Sequence, residues 1–174
     1  CSILNSMFNS MLNSMLSCLP KNYGKRAPTN WANTSNSGHQ NDKYRWHHNK
    51  AHQLVPNIKI ALTGNGKVAR GAKEMLDAMH IPQVDVAAYL TQTFTKPVYC
   101  MIDVLDYNKR TDGQVLNNSD FYAHPEKYEA NFMRFAKVTD YFIAGHFFGE
   151  GSPYLLTRED AKKQDFKIQY IADI

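Results

Sequence analysis

One stretch constrains the fold more than any other. The apolar run Ile58-Lys59-Ile60-Ala61-Leu62 passes straight into Thr63-Gly64-Asn65-Gly66-Lys67-Val68-Ala69-Arg70-Gly71-Ala72. The run predicts a short strand. Residues 67–79 then carry apolar side chains at Val68, Ala72, Met75, Leu76 and Met79, a helical period. A strand that turns into a helix through closely spaced glycines matches G-x-G-x-x-A, and each small residue has a physical task. Gly64 permits the tight turn, Gly66 lets the backbone approach a phosphate, and Ala69 keeps the helix close to the strand. The first helical N–H groups and the positive end of the helix dipole favour an anion at that point.

The rest of the chain keeps to the same alternation. Residues 83–89 read as a second strand or as mixed strand and turn, and 97–102 as a strand. Residues 125–136 read as a helix with Tyr128, Phe132 and Phe135 on one side. Residues 140–147 form a strand so apolar that both of its faces should be covered. Thr157 is placed to cap a helix over 158–163, with Asp160 completing an approximate capping box, and 167–172 predict a last strand. Strands alternating with helices imply an α/β fold with a parallel sheet and right-handed crossovers, here an incomplete Rossmann-type sheet over residues 56–174.

In that setting the glycine turn points to a dinucleotide, NAD or NADP. The candidate cofactor contacts are Gly64, Asn65, Gly66, Lys67, Val68 and Ala69, together with Gly145 and His146 at the carboxyl end of the 140–147 strand. Lys67 and Arg70 either add positive charge or face solvent. A ribose-binding acid belongs at the end of the second strand. Asp85 has nearly the usual spacing but lies inside an apolar stretch, and Asp103 ends a convincing strand but comes late, so NAD and NADP are not separated. His146 is read as lining the pocket, with acid–base chemistry as the alternative. No catalytic residue is assigned and no metal is expected. Cys100, inside an apolar run, reads as a buried thiol, which fits a reducing, cytoplasmic setting.

The first third has a different texture. Of the net charge of +4, residues 1–56 hold six basic side chains against one acidic, leaving fourteen against fifteen for the rest. Residues 1–19 repeat Asn-Ser-Met-Phe/Leu and place an apolar stripe through 3, 4, 7, 8, 11, 12, 15, 16 and 19, an amphipathic helix ended by Pro20. Docking on a protein partner or on a second copy through residues 3–19 is the leading reading; disorder and a membrane surface are the alternatives. Residues 20–55 read as a polar, basic linker. His48 and His52 have a spacing that can seat a metal on a helix, but no further ligand is near. Trp31, Tyr44 and Trp46 among basic residues fit nucleic-acid stacking, yet a basic arm without that role is simpler. No run reaches the roughly 18 apolar residues of a transmembrane helix.

Several motifs in order resemble the saccharopine dehydrogenase family, most closely its lysine–ketoglutarate reductase type. They are Leu62 to Ala72; Tyr107-Asn108-Lys109-Arg110-Thr111-Asp112-Gly113; His124-Pro125-Glu126-Lys127-Tyr128-Glu129; Ser152-Pro153-Tyr154-Leu155-Leu156-Thr157-Arg158-Glu159-Asp160-Ala161; and Ile171-Ala172-Asp173-Ile174. Alanine dehydrogenases share the general domain at a greater distance. The resemblance implies hydride transfer between NAD(P) and the C–N bond of an adduct between an amino acid and a 2-oxo acid, in lysine metabolism. It also implies a partial chain. The family carries a Lys/His acid–base pair in a substrate domain ahead of the nucleotide domain, and residues 1–56 are too short and too low in complexity to supply it on Lys50 or His52. The family's nucleotide domain also continues beyond the point matched by Ile174.

Overall fold

The structure is a computed structural model and describes residues 57–174. The expected helix over 1–19, the linker over 20–55 and the histidine pair at 48 and 52 lie outside the described residues. In chain order the elements are β1 (Lys59–Thr63), α1 (Lys67–Ala78), α2 (Val86–Thr91), β2 (Val98–Ile102), α3 (Val104–Tyr107), β3 (Asn108–Arg110), α4 (Asn118–Ala123), β4 (Tyr128–Ala130), α5 (Met133–Ala136), β5 (Tyr141–Ala144) and β6 (Tyr170–Asp173).

β2, β1, β5 and β6 lie side by side in that order and all run parallel. The chain passes from β1 to a neighbour on one side and later returns to a neighbour on the other. That reversal opens a crevice at the carboxyl ends of β1 and β5. The two central strands are buried along almost their whole length, as continuous apolar runs demand when both sheet faces are covered. Alternate residues of β1 serve opposite faces. Ile60 and Leu62 join Ala69, Ala72, Leu76 and Met79 of the α1 segment, while Ala61 joins Tyr89, Cys100, Phe132, Phe135 and Phe142 on the other side. The fold is therefore α/β, a parallel four-stranded sheet with helices against both faces. Among the described residues no helix is long and apolar enough to cross a membrane.

Four local expectations are corrected. The α1 segment buries Ala69, Ala72, Leu76 and Met79, whereas Val68 is 47% exposed and faces away from the core. Residues 83–89 make one bridge, Gln83 to Tyr99, and then turn into α2, whose N-cap is Asp85. Residues 125–136 are not one helix: a 3₁₀ turn at Pro125–Lys127 leads into β4, which pairs antiparallel with β3 before the short α5. Tyr128, Phe132 and Phe135 are all buried, so their helical spacing marked the core correctly and the backbone wrongly. The Thr157–Asp160 capping contacts form, with Asp160 N–H to Thr157 Oγ1 at 3.1 Å and Thr157 N–H to Asp160 Oδ2 at 3.0 Å, but only a 3₁₀ turn at Asp160–Lys162 follows.

Candidate functional site

Gly64 ends β1 with φ at +96°, a left-handed conformation that a side chain strains. Its N–H donates to the Ile102 carbonyl at 2.9 Å, tying the turn to the end of β2. A Cβ at this position would lie 2.7 Å from the Gly145 carbonyl oxygen and 2.9 Å from His146 Cα. A Cβ on Gly145 would in turn meet Ala69 Cα and the Thr63 carbonyl oxygen at 3.1 Å. Gly64, Gly145 and Ala69 thus bring β1, β5 and the first turn of α1 together almost backbone to backbone. Gly66 is different. Its φ of −80° suits any residue, and a Cβ there would meet nothing within 4 Å. Neither conformation nor packing among the described residues calls for glycine at this position, which opens on the cleft.

The start of α1 is left open to a ligand. No side chain caps it, no acid stands in its first turn, and the Arg70 N–H reaches the carbonyl of the N-cap residue Gly66 at 3.0 Å. Such an end presents N–H groups and a partial positive charge to whatever lies in front of it.

In front of it is a cleft of about 540 Å³ across the carboxyl ends of the sheet. Seven of the eight candidate contacts line it: Gly64, Asn65, Gly66, Lys67, Val68, Gly145 and His146. The eighth, Ala69, is fully buried beneath the turn and acts by letting the helix approach. Lys67 stands in the lining and Arg70 does not. Of the two acids weighed for a ribose, Asp103 at the end of β2 lines the cleft, while Asp85 is spent on Ala88 N–H at 2.8 Å in the α2 cap. One Asp103 oxygen accepts from Val104 N–H at 2.6 Å, and its backbone N–H donates to Asp106 Oδ2 at 3.2 Å, which fixes the carboxylate at the cleft edge.

His146 leaves the end of β5 and is held from below. Its Nδ1 lies 2.7 Å from Oγ1 of the fully buried Thr63, and its ring centroid is 5.5 Å from that of Tyr107. Burial lowers its pKa from the ordinary 6.5, opposed by the charge of Asp173, so the neutral ring is favoured. Cys100 is remote from this chemistry: it is buried in the core, and burial pushes its thiol up to about 12.

The sequence did not point to Val104, Tyr107, Asn118, Tyr122, Phe147 or Ile174 as cleft residues. Val104 had a signal, since it follows closely on the carboxyl end of β2, and Tyr107 lies one helical turn later. Asn118 and Tyr122 had none, because the short α4 carries no periodic pattern that announces it. No protein-family model matches the chain, and no curated protein matches it.

Proposed function

We propose that residues 57–174 form a Rossmann-type unit that binds NAD or NADP, in an oxidoreductase of the saccharopine dehydrogenase type. The observation that carries this reading is one convergence. An uncapped helix start, a glycine turn with a vacant Cβ position at Gly66, and a carboxylate at the end of the adjacent strand all face one cleft at the sheet's topological switch point. In such a site the N–H groups of the α1 first turn and Lys67 would hold the pyrophosphate, and Asp103 would accept from ribose hydroxyls. Gly64, Gly145 and Ala69 would keep the two strand ends and the helix close enough for both contacts.

The bound nicotinamide supplies the hydride chemistry, and the protein supplies orientation and electrostatics. The substrate class, an adduct of an amino acid and a 2-oxo acid, is what the resemblance of the sequence motifs to that family implies. Among the described residues, the neutral His146 is the side chain at the carboxyl end of β5 that is able to hydrogen-bond a ligand's ring end.

Fluorescence titration with NADH and NADPH tests the cofactor reading. We expect saturable binding of one or both by the wild type. Gly66→Val should abolish it with little change in melting temperature, because its Cβ would meet no protein atom within 4 Å. A wild type that binds neither would sink the reading. Saccharopine-dependent reduction of NAD(P) tests turnover; we expect none from this chain by itself, because residues 1–56 do not supply the family's Lys/His pair, and activity would overturn that account.

A further inference from the structure

Thr63 stands immediately before the glycine turn and is fully buried, yet its side chain is polar. Its hydroxyl has two acceptors in reach: His146 Nδ1 at 2.7 Å and the Ile143 carbonyl at 3.4 Å. A hydroxyl carries one proton. At 2.7 Å the contact to nitrogen is a short, strong hydrogen bond, whereas 3.4 Å lies beyond the useful range for O–H···O. Were Nδ1–H to donate to Oγ1 instead, the 2.7 Å contact would remain but the hydroxyl proton would be left with only the carbonyl at 3.4 Å, so donation to Nδ1 is the better use of that proton. The hydrogen of the neutral imidazole must then sit on Nε2. Nε2 makes no hydrogen bond to any other group among the described residues, and its ring lines the cleft.

The backbone is held by the same turn. Gly64 packs so closely on Gly145 and His146 that no Cβ would fit, and Gly145 packs tightly on Ala69, where a Cβ would lie 3.1 Å from its Cα. The ring rests beside Tyr107, and Asp173 on β6 is the charged group that acts on it. Residues 63–64 therefore fix His146 twice, once through its main chain and once through its ring.

We infer that His146 is the group that orients the ring end of the ligand, presenting a single fixed Nε2–H donor to a carbonyl-type oxygen such as a carboxamide. Thr63 is its positioning residue. This rests on the dinucleotide reading above. It assigns a part of the ligand that the α1 first turn and Asp103 do not reach, and gives the residue before the glycine turn a task separate from phosphate binding.

Two ligands isolate that end: NADH, and ADP-ribose, which lacks the nicotinamide. Thr63→Val keeps the shape of the side chain and removes the donor. It should weaken NADH about 10-fold, the scale of one lost hydrogen bond, and leave ADP-ribose within about 2-fold. His146→Phe should do the same, and Thr63→Ser should restore NADH binding. A long-range ¹H–¹⁵N spectrum of the wild type should show His146 as the Nε2–H tautomer, and Thr63→Val should shift it to a mixture. Equal weakening of both ligands, no weakening of NADH, or an Nδ1–H tautomer in the wild type would each overturn the inference while the nucleotide reading stands. A wild type that binds neither ligand overturns both.

Discussion

The two ends of the parallel sheet are built to opposite rules. At the amino end, polar groups are stitched to one another. Lys59 Nζ donates to the Tyr89 carbonyl and, at 3.1 Å, to that of Gln92, and sits over the Tyr89 and Phe94 rings. Asp140 accepts from Lys59 N–H at 2.8 Å and pairs with Lys167 at 3.0 Å, while the Tyr89 hydroxyl meets Thr139 Oγ1 at 2.9 Å inside the core. At the carboxyl end the equivalent positions are glycines, a helix start without a cap, and a histidine with one nitrogen engaged. One end spends its polar groups on the fold; the other, apart from the Asp103 oxygen that accepts from Val104 N–H, leaves them facing a cleft. The contrast separates residues that hold the molecule together from residues left open on a cleft, although both sets belong to the same strands.

The sharpest way to break this contrast is Gly64→Ala, because Gly64 belongs to both sets. The new methyl group would press on backbone atoms at 2.7 and 2.9 Å in a left-handed conformation, neither of which can yield cheaply. We expect a loss of about 3 kcal/mol or more, read by denaturant unfolding. A loss below about 1 kcal/mol would mean that the two strand ends are free to part.

Tyr89→Phe probes the amino end alone. It removes one buried hydrogen bond and strands Thr139 Oγ1, which should cost about 1–2 kcal/mol. Nucleotide affinity should stay unchanged, and a matching drop in affinity would show that the ends are not independent.

The smallest effect is in pH. His146 has a folded pKa below its ordinary 6.5, so the unfolded chain binds more protons once the pH falls beneath that value. Its contribution is fully present above about 6.5 and is lost as the pH drops through the lower, folded value. His146→Phe should flatten that part of the stability profile, and an unchanged slope would place the pH dependence elsewhere.

Legibility in the sequence follows the same division. β1, α1 and β5 could be read because one physical requirement dominates each: continuous burial for Tyr141–Ala144, and a turn that only small residues permit at Gly64. The stretch between β2 and β5 could not. Tyr128, Phe132 and Phe135 sit at helical spacing, but the backbone there answers to partners far away in sequence. β4 pairs with Asn108–Arg110, and the Tyr128 hydroxyl donates to Asp120 at 2.8 Å. A three-residue strand has too few positions to show alternation, so nothing local announces that pairing. The floor of the cleft was visible for this reason, and the wall built by Asn118 and Tyr122 was not.

The parallel order has a consequence in time. β1 pairs with β2 across roughly 40 residues of chain but with β5 across about 80, as the span from Thr63 to Ile143 shows. Closing the longer loop costs more entropy and brings in contacts of higher order. Gly64 meets Gly145 only where that second ladder is formed, so the cleft depends on the closure of longer range. A nucleotide held there would act as a latch on that seam. It would slow the opening of the native chain far more than it would hasten folding.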